Sequence, residues 1–151
     1  MKDAAHADAV INVLRGTNIT APTTLYLALV GGTSGDSDYD PKDKSTWTEI
    51  TTTDCPTYAR VPVVLAAPGA GTGGDSGYRV AVGSTINGSS AQYAFPAFNK
   101  SVQIDAVVLC NHLSTALSTS GLRGVDAALN ADYANGQQVA ITPANVKVRE
   151  Q

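Results

Sequence analysis

The sequence predicts a mainly β fold, an antiparallel β-sandwich of jelly-roll or immunoglobulin-like type with one short N-terminal α-helix. Three observations lead there. Apolar runs of strand length recur through the chain, turn signals separate them in its second half, and only one segment carries a helical apolar period. The 151 residues suit a single domain spanning 1–151, long enough for a core without metal or disulfide staples.

The helical segment comes first. Ala7, Val10, Ile11 and Leu14 follow an i, i+3, i+4, i+7 pattern within residues 3–15, and Gly16 suits the C-terminal cap, so a helix is expected over 1–16. Residues 24–30, Thr-Leu-Tyr-Leu-Ala-Leu-Val, end at Gly31-Gly32 and read as a strand buried on both faces. Residues 31–54 are rich in Gly, Ser, Asp and Thr, with Trp47 and Ile50 as the large anchors, and are expected to form a long surface loop, either a contact surface for a partner or a solvated connector. A second strand follows over 58–65, with Pro62 assigning it to a sheet edge or bulge. After the glycine-rich turn at 68–77, strands are expected over 78–82, 91–98, 102–110, 122–129, 138–142 and 146–149. Turns are expected at Asn87-Gly88, Asn99-Lys100, Ser120-Gly121 and Asn135-Gly136, the Asn-Gly pairs as hairpins.

Composition narrows the function. Charged residues are 15% of the chain, against about 25% in an average soluble domain. Ten Lys and Arg against thirteen Asp and Glu give a net charge of −3, which argues against generic nucleic-acid binding. No apolar stretch approaches the roughly 20 residues of a membrane-spanning helix. The N-terminus lacks the pattern of a secretory signal, so synthesis in the cytoplasm is expected. Cys55 and Cys110 form no C-x-x-C pair and read as packing residues; Cys110 and His112 alone do not make a zinc site.

Three motifs imitate chemistry. Residues 69–74 match G-x-G-x-x-G, but a strand-like segment follows where a dinucleotide fold needs a helix, and no acid stands near position 94. Gly74-Asp75-Ser76-Gly77 resembles the nucleophile segment of trypsin-like proteases over four residues; the histidines, His6 and His112, supply neither the order nor the spacing of a triad. Asp36, Asp38, Asp40 and Asp43 alternate like a calcium loop, yet positions six and twelve are Pro41 and Trp47, leaving at most a weak adventitious Ca²⁺ site. Three glycosylation sequons carry no weight without a signal peptide. No catalytic residue, metal ligand or cofactor is assigned, and low-charge, β-rich composition suits a protein whose work is contact area.

The order Ala9-Val10-Ile11-Asn12-Val13-Leu14-Arg15-Gly16, then Thr24-Leu25-Tyr26-Leu27-Ala28-Leu29, then Thr48-Glu49-Ile50 and Tyr58-Ala59-Arg60-Val61-Pro62-Val63, resembles a family of small tailed-bacteriophage virion structural proteins, tail-fibre-like or minor structural. The likeness continues through Tyr93-Ala94-Phe95-Pro96-Ala97-Phe98, Val107-Val108-Leu109-Cys110 and residues 139–148. It implies a non-enzymatic virion component, made in the host cytoplasm, whose partners are other phage structural proteins of the tail or the major capsid protein. A tail or fibre placement and a capsid-decorating placement both remain open, and a homotrimer is the expected oligomer. Val10, Leu14, Tyr39, Trp47, Tyr58 and Arg60 are the candidate partner contacts. The alternative is a carbohydrate-binding β-sandwich module that stacks sugars on Trp47, Tyr39, Tyr58 and Tyr78, although aromatic residues are 6% of the chain.

Overall fold

The computed structural model describes residues 15, 24–32, 39–84, 92–126 and 129–150. All but Arg15 of the segment expected to form the N-terminal helix, including Val10 and Leu14, lies outside them, as do Asp36, Asp38 and Asn87-Gly88. Among the described residues the chain is mainly antiparallel β. Its main sheet runs β2 (Val61–Val63), β1 (Leu25–Gly32), β6 (Val102–Cys110), β7 (Gly121–Asp126), and β8 (Ala131–Tyr133) pairs with the other end of β6. Three strands, β3 (Gly69–Ala70), β4 (Arg79–Val82) and β10 (Lys147–Glu150), form a second sheet; β5 (Tyr93–Ala94) and β9 (Ala140–Ile141) form a third. The one described α-helix, α1 (Leu117–Ser120), leads directly into β7.

β1 and β6 are central because both faces of each are apolar. On one face, Leu27 and Leu29 meet Val102, Ile104, Val107 and Leu109, and pack against Tyr93, Phe95, Phe98, Val139 and Val146 from the smaller sheets and their connections. On the other, Ala28 and Val30 meet Ala106, Val108 and Cys110 under Trp47 and Leu117. Strict alternation would not put Ile104 and Val107 on one face. The ladder resolves this: Val30 pairs with Ala106 and Gly31 with Ile104, so Asp105 is the extra residue of a β-bulge that shifts the apolar phase by one. Its carboxylate accepts a hydrogen bond from Gln103 Nε2 at 3.1 Å. The spacing Val-x-Ile-x-x-Val-x-Leu is the sequence trace of that bulge.

Pro62 lies on the edge strand β2, where its missing N–H costs no ladder bond. Both cysteines are free thiols within the packing; the Cys55 Sγ lies 3.5 Å from the Ala97 carbonyl and burial pushes the Cys110 thiol up. Four expectations differ. The strand expected over 91–98 reduces to Tyr93–Ala94, because Pro96 interrupts it. Ser120-Gly121 is the end of α1 and not a hairpin turn. β8 takes up a segment in which no strand was expected. Asn135-Gly136 does turn the chain, with Gln137 N–H bonded to the Ala134 carbonyl at 3.0 Å, but only Gly136 has positive φ (85°), a type II geometry. That turn does not make a hairpin. The strands it joins pair with different partners, β8 with β6 and β9 with β5, so it carries the chain from one sheet to another.

The turn at 51–54 is tied to the Asn99-Lys100 bend by Asp54, whose carboxylate lies 2.9 Å from Lys100 Nζ. Burial raises the Asp54 carboxyl, but Lys100 and Thr51 outweigh it and hold the group below its ordinary value of 3.8. A carboxyl depressed in the folded state stabilises above its unfolded pKa, and that stability is lost as pH falls through the folded value. Wild type should therefore lose stability below about pH 4 more steeply than Asp54→Asn, read from urea midpoints across pH.

Candidate functional site

Residues 39–54 do not lie loose on the surface. β2 covers β1 only as far as Leu27, and beyond that point residues 48–50 close the open edge: Gly31 N–H donates to the Thr48 carbonyl at 3.0 Å and Ile50 N–H to the Leu29 carbonyl at 3.1 Å. The Leu29 N–H, which has no strand opposite it, donates to the Tyr58 hydroxyl at 3.1 Å. This backbone bridge, Val30 to Glu49, fixes where the Glu49 carboxylate sits.

Arg60 meets Glu49 there. Its guanidinium grips the carboxylate as a fork, Nε to Oε1 at 2.8 Å and Nη2 to Oε2 at 2.5 Å. The remaining donors reach the loop before α1: Nη2 to the Thr115 carbonyl at 2.7 Å, Nη1 to the His112 carbonyl and to Ser120 Oγ at 3.3 Å. All five guanidinium N–H groups thus have acceptors. The Tyr58 hydroxyl donates to Glu49 Oε1 at 2.7 Å. Burial, then the Glu49 charge, pushes the Tyr58 phenol well above its usual range, so it stays a donor, and the hydrogen bond to Glu49 raises Arg60 further.

Trp47 closes the other side. Its ring is buried over Ala28 and Ala106, its Nε1 donates to the Asp40 carbonyl at 2.8 Å, and the Tyr39 ring leans on it at 6.0 Å. Small side chains in the sheet make room, and Gly121 does so most sharply. A Cβ there would stand 2.5 Å from the Leu117 carbonyl and 2.8 Å from the Trp47 ring. Lys44 Nζ bonds the Gly121 carbonyl at 3.1 Å, joining the two segments again. Gly121→Ala should lift the ring and destabilise the domain by about 2 kcal/mol or more. Trp47 is the only tryptophan, so a red shift of native fluorescence reports the displacement.

The aspartates serve the turn itself. Asp40 Oδ1 accepts from Lys42 N–H at 2.8 Å, and Asp43 caps a 3₁₀ turn (Lys44–Thr46) by accepting from Ser45 N–H at 2.9 Å. No group of three or more potential metal ligands occurs among the described residues. Gly69–Ala70 forms a short strand against β4, followed by a 3₁₀ turn (Gly73–Asp75), so neither G-x-G-x-x-G nor Gly-Asp-Ser-Gly opens a long helix or builds a nucleophile elbow.

The candidate contacts are therefore placed unevenly. Trp47 and Arg60 are buried at 5% and 6% exposure, Tyr58 and Tyr39 are half-buried, and what faces solvent is the turn they hold, at Asp40–Asp43 and Ser45, together with His112–Ser114, Ala116 and Leu113 at 56% exposure. Glu49 and Ser120, which were not among the candidate contacts, complete the network. The segments Thr48-Glu49-Ile50 and Tyr58-Ala59-Arg60, which carry much of the family likeness, are the two halves of one ion pair.

The sequence model of one protein family, podophage GP4 fiber I protein gp80, matches residues 1–149. The chain belongs to that family. It is a family of phage fibre structural proteins, and no curated protein and no solved structure matches the chain. Membership covers the ion pair, the sheet and the glycine-rich turn alike. Among the described residues no helix is long and apolar enough to cross a membrane.

Proposed function

We propose that the protein is a non-enzymatic component of a bacteriophage fibre, assembled as a homotrimer in the virion, where it contacts other phage structural proteins. The observation that carries this reading is the family match over residues 1–149. The arrangement of polar groups supports it: the densest cluster, Arg60, Glu49, Tyr58 and Ser120, is directed inward and stiffens two neighbouring segments. The contact surface is the outer side of those segments, the turn at 40–45 and residues 112–119, with Trp47 and Arg60 shaping it from beneath and Tyr39 at its margin. The two short sheets form the second layer of a β-sandwich over the main sheet.

The test is the mass of the purified protein by light scattering, followed by sedimentation with isolated tails and with capsid shells. A trimer that sediments with tails is expected. Sedimentation with shells alone would make it a capsid-decorating protein, and a monomer that joins neither would overturn the assembly reading. In the tail-bound state, trypsin cleavage after the exposed Lys42 should be suppressed relative to the free protein.

A further inference from the structure

The second sheet turns one face inward and one outward. In the β4–β10 ladder Val148 stands opposite Ala81, and Val148 packs on the main core. The residues on either side therefore project outward: Arg149 opposite Val80 and Lys147 opposite Val82. Tyr78 joins them, with the Arg149 guanidinium 5.8 Å from its ring centre. Asp75 draws both cations over the same spot, its two oxygens lying 3.2 Å from Lys147 Nζ and 2.9 Å from Arg149 Nη1. An aromatic ring, a planar cation, an ammonium and a carboxylate share one exposed face.

Beside it runs the glycine-rich strip. Three of its glycines are required by the turn: Gly73 and Gly77 have φ of +59° and +87°, and a Cβ on Gly71 would lie 2.0 Å from the Asp75 carbonyl. Gly69 and Gly74 meet neither requirement, for their φ values are ordinary and nothing lies within 4 Å of where a Cβ would be. Glycine where neither conformation nor crowding demands it leaves backbone bare for something outside the chain to approach.

We propose that this face, Tyr78, Lys147, Arg149 and Asp75 with the bare backbone at Gly69 and Gly74, binds an acidic saccharide. The sugar lies along the Tyr78–Arg149 stack, its anionic group meets Lys147 and Arg149, and its hydroxyls donate to Asp75. The Lys147 and Arg149 cations favour an anionic sugar over a neutral one, while the net charge of −3 disfavours the extended phosphate backbone of a nucleic acid. The reading goes beyond the assembly role and does not depend on it, since binding is measured on the purified chain.

The experiment is an amide-resolved NMR titration with tetragalacturonate and with mannose 6-phosphate, one carrying carboxylate and the other phosphate, and maltotetraose as the neutral sugar. Shifts at Gly69, Gly74, Tyr78, Lys147 and Arg149 are expected for at least one acidic sugar, with Kd in the millimolar range that a shallow site with one aromatic implies, about 1–10 mM. Tyr78→Ala and Lys147→Gln/Arg149→Gln should each weaken binding about tenfold, and salt near 0.5 M should weaken it further. Gly74→Val, which fills open space, should block binding with unchanged thermal stability. Absence of shifts with either acid at about 20 mM, equal binding of maltotetraose, or binding that survives Tyr78→Ala and the double substitution in folded protein would overturn the proposal. Protection of Lys147 from amine acetylation by a second copy of the chain, without sugar, would do so too, by making the face a protein interface.

Discussion

Arg60→Ala is expected to destabilise the domain by about 3–5 kcal/mol, a fall in Tm of the order of 10 °C for a chain of this length. The reason is what the arginine leaves behind. Glu49 loses both arms of its fork and keeps a carboxylate whose side chain is only 22% exposed, while the His112 carbonyl loses the guanidinium and the Thr115 carbonyl is left with the Ser120 hydroxyl alone. Arg60→Lys should recover little, because one ammonium cannot span Glu49 Oε1, Glu49 Oε2, Thr115 and Ser120 together. The double substitution Arg60→Met/Glu49→Gln should be markedly milder than Arg60→Ala, since it removes both charges and refills the space. Urea unfolding of the wild type, Arg60→Met, Glu49→Gln and the double variant measures the coupling. Additive losses from Arg60 and Glu49 substitutions would show that the pair does not act as a unit. Loosening should also be local: in Arg60→Ala, proteolysis within 40–45 and 112–116 should accelerate well before global unfolding.

Gly31→Ala should be at least as damaging to folding, about 3 kcal/mol or more. Gly31 has φ +153°, and a Cβ on it would fall 2.2 Å from the Gln103 carbonyl oxygen. That oxygen cannot retreat, because Gln103 is hemmed between β1 on one side and β8, at Asp132, on the other. The clash falls on the Asp105 bulge, where the apolar phase of β6 changes, so displacement there threatens the burial of both Ile104 and Val107. Gly74→Ala is the matched control, with no atom within 4 Å of the new methyl group, and should leave the urea midpoint unchanged. A Gly31→Ala midpoint equal to that of the control would refute the account of the bulge.

Much of the sheet was legible because one-dimensional pattern carried it. Residues 25–30 and 106–110 are continuously apolar, which only strands covered on both faces tolerate, and Pro62 marked an edge. The short strands were legible in place but not in extent or partner: β5 and β9, two residues each, lie within the strands expected over 91–98 and 138–142, and their pairing joins Tyr93 to Ile141, far apart in sequence. Nothing local encodes that partner. The contact candidates were legible by residue type but not by orientation. Trp47 and Arg60 stood out as large groups in a polar stretch and beside a strand, and composition alone does not say that both turn inward.

The sequence by itself determined the antiparallel β character, the strands at 24–30 and 102–110 and the membership of a phage fibre family, because these rest on periodicity and on the order of residues along the chain. Only the tertiary structure decided that Glu49 and Arg60 form one forked pair, that Gly121 makes room for Trp47, and that Tyr78, Lys147, Arg149 and Asp75 gather on one outer face. Each of those arrangements joins segments between eleven and about seventy residues apart, where contact depends on how sheets stack and chains cross between them, and no local preference encodes that distance.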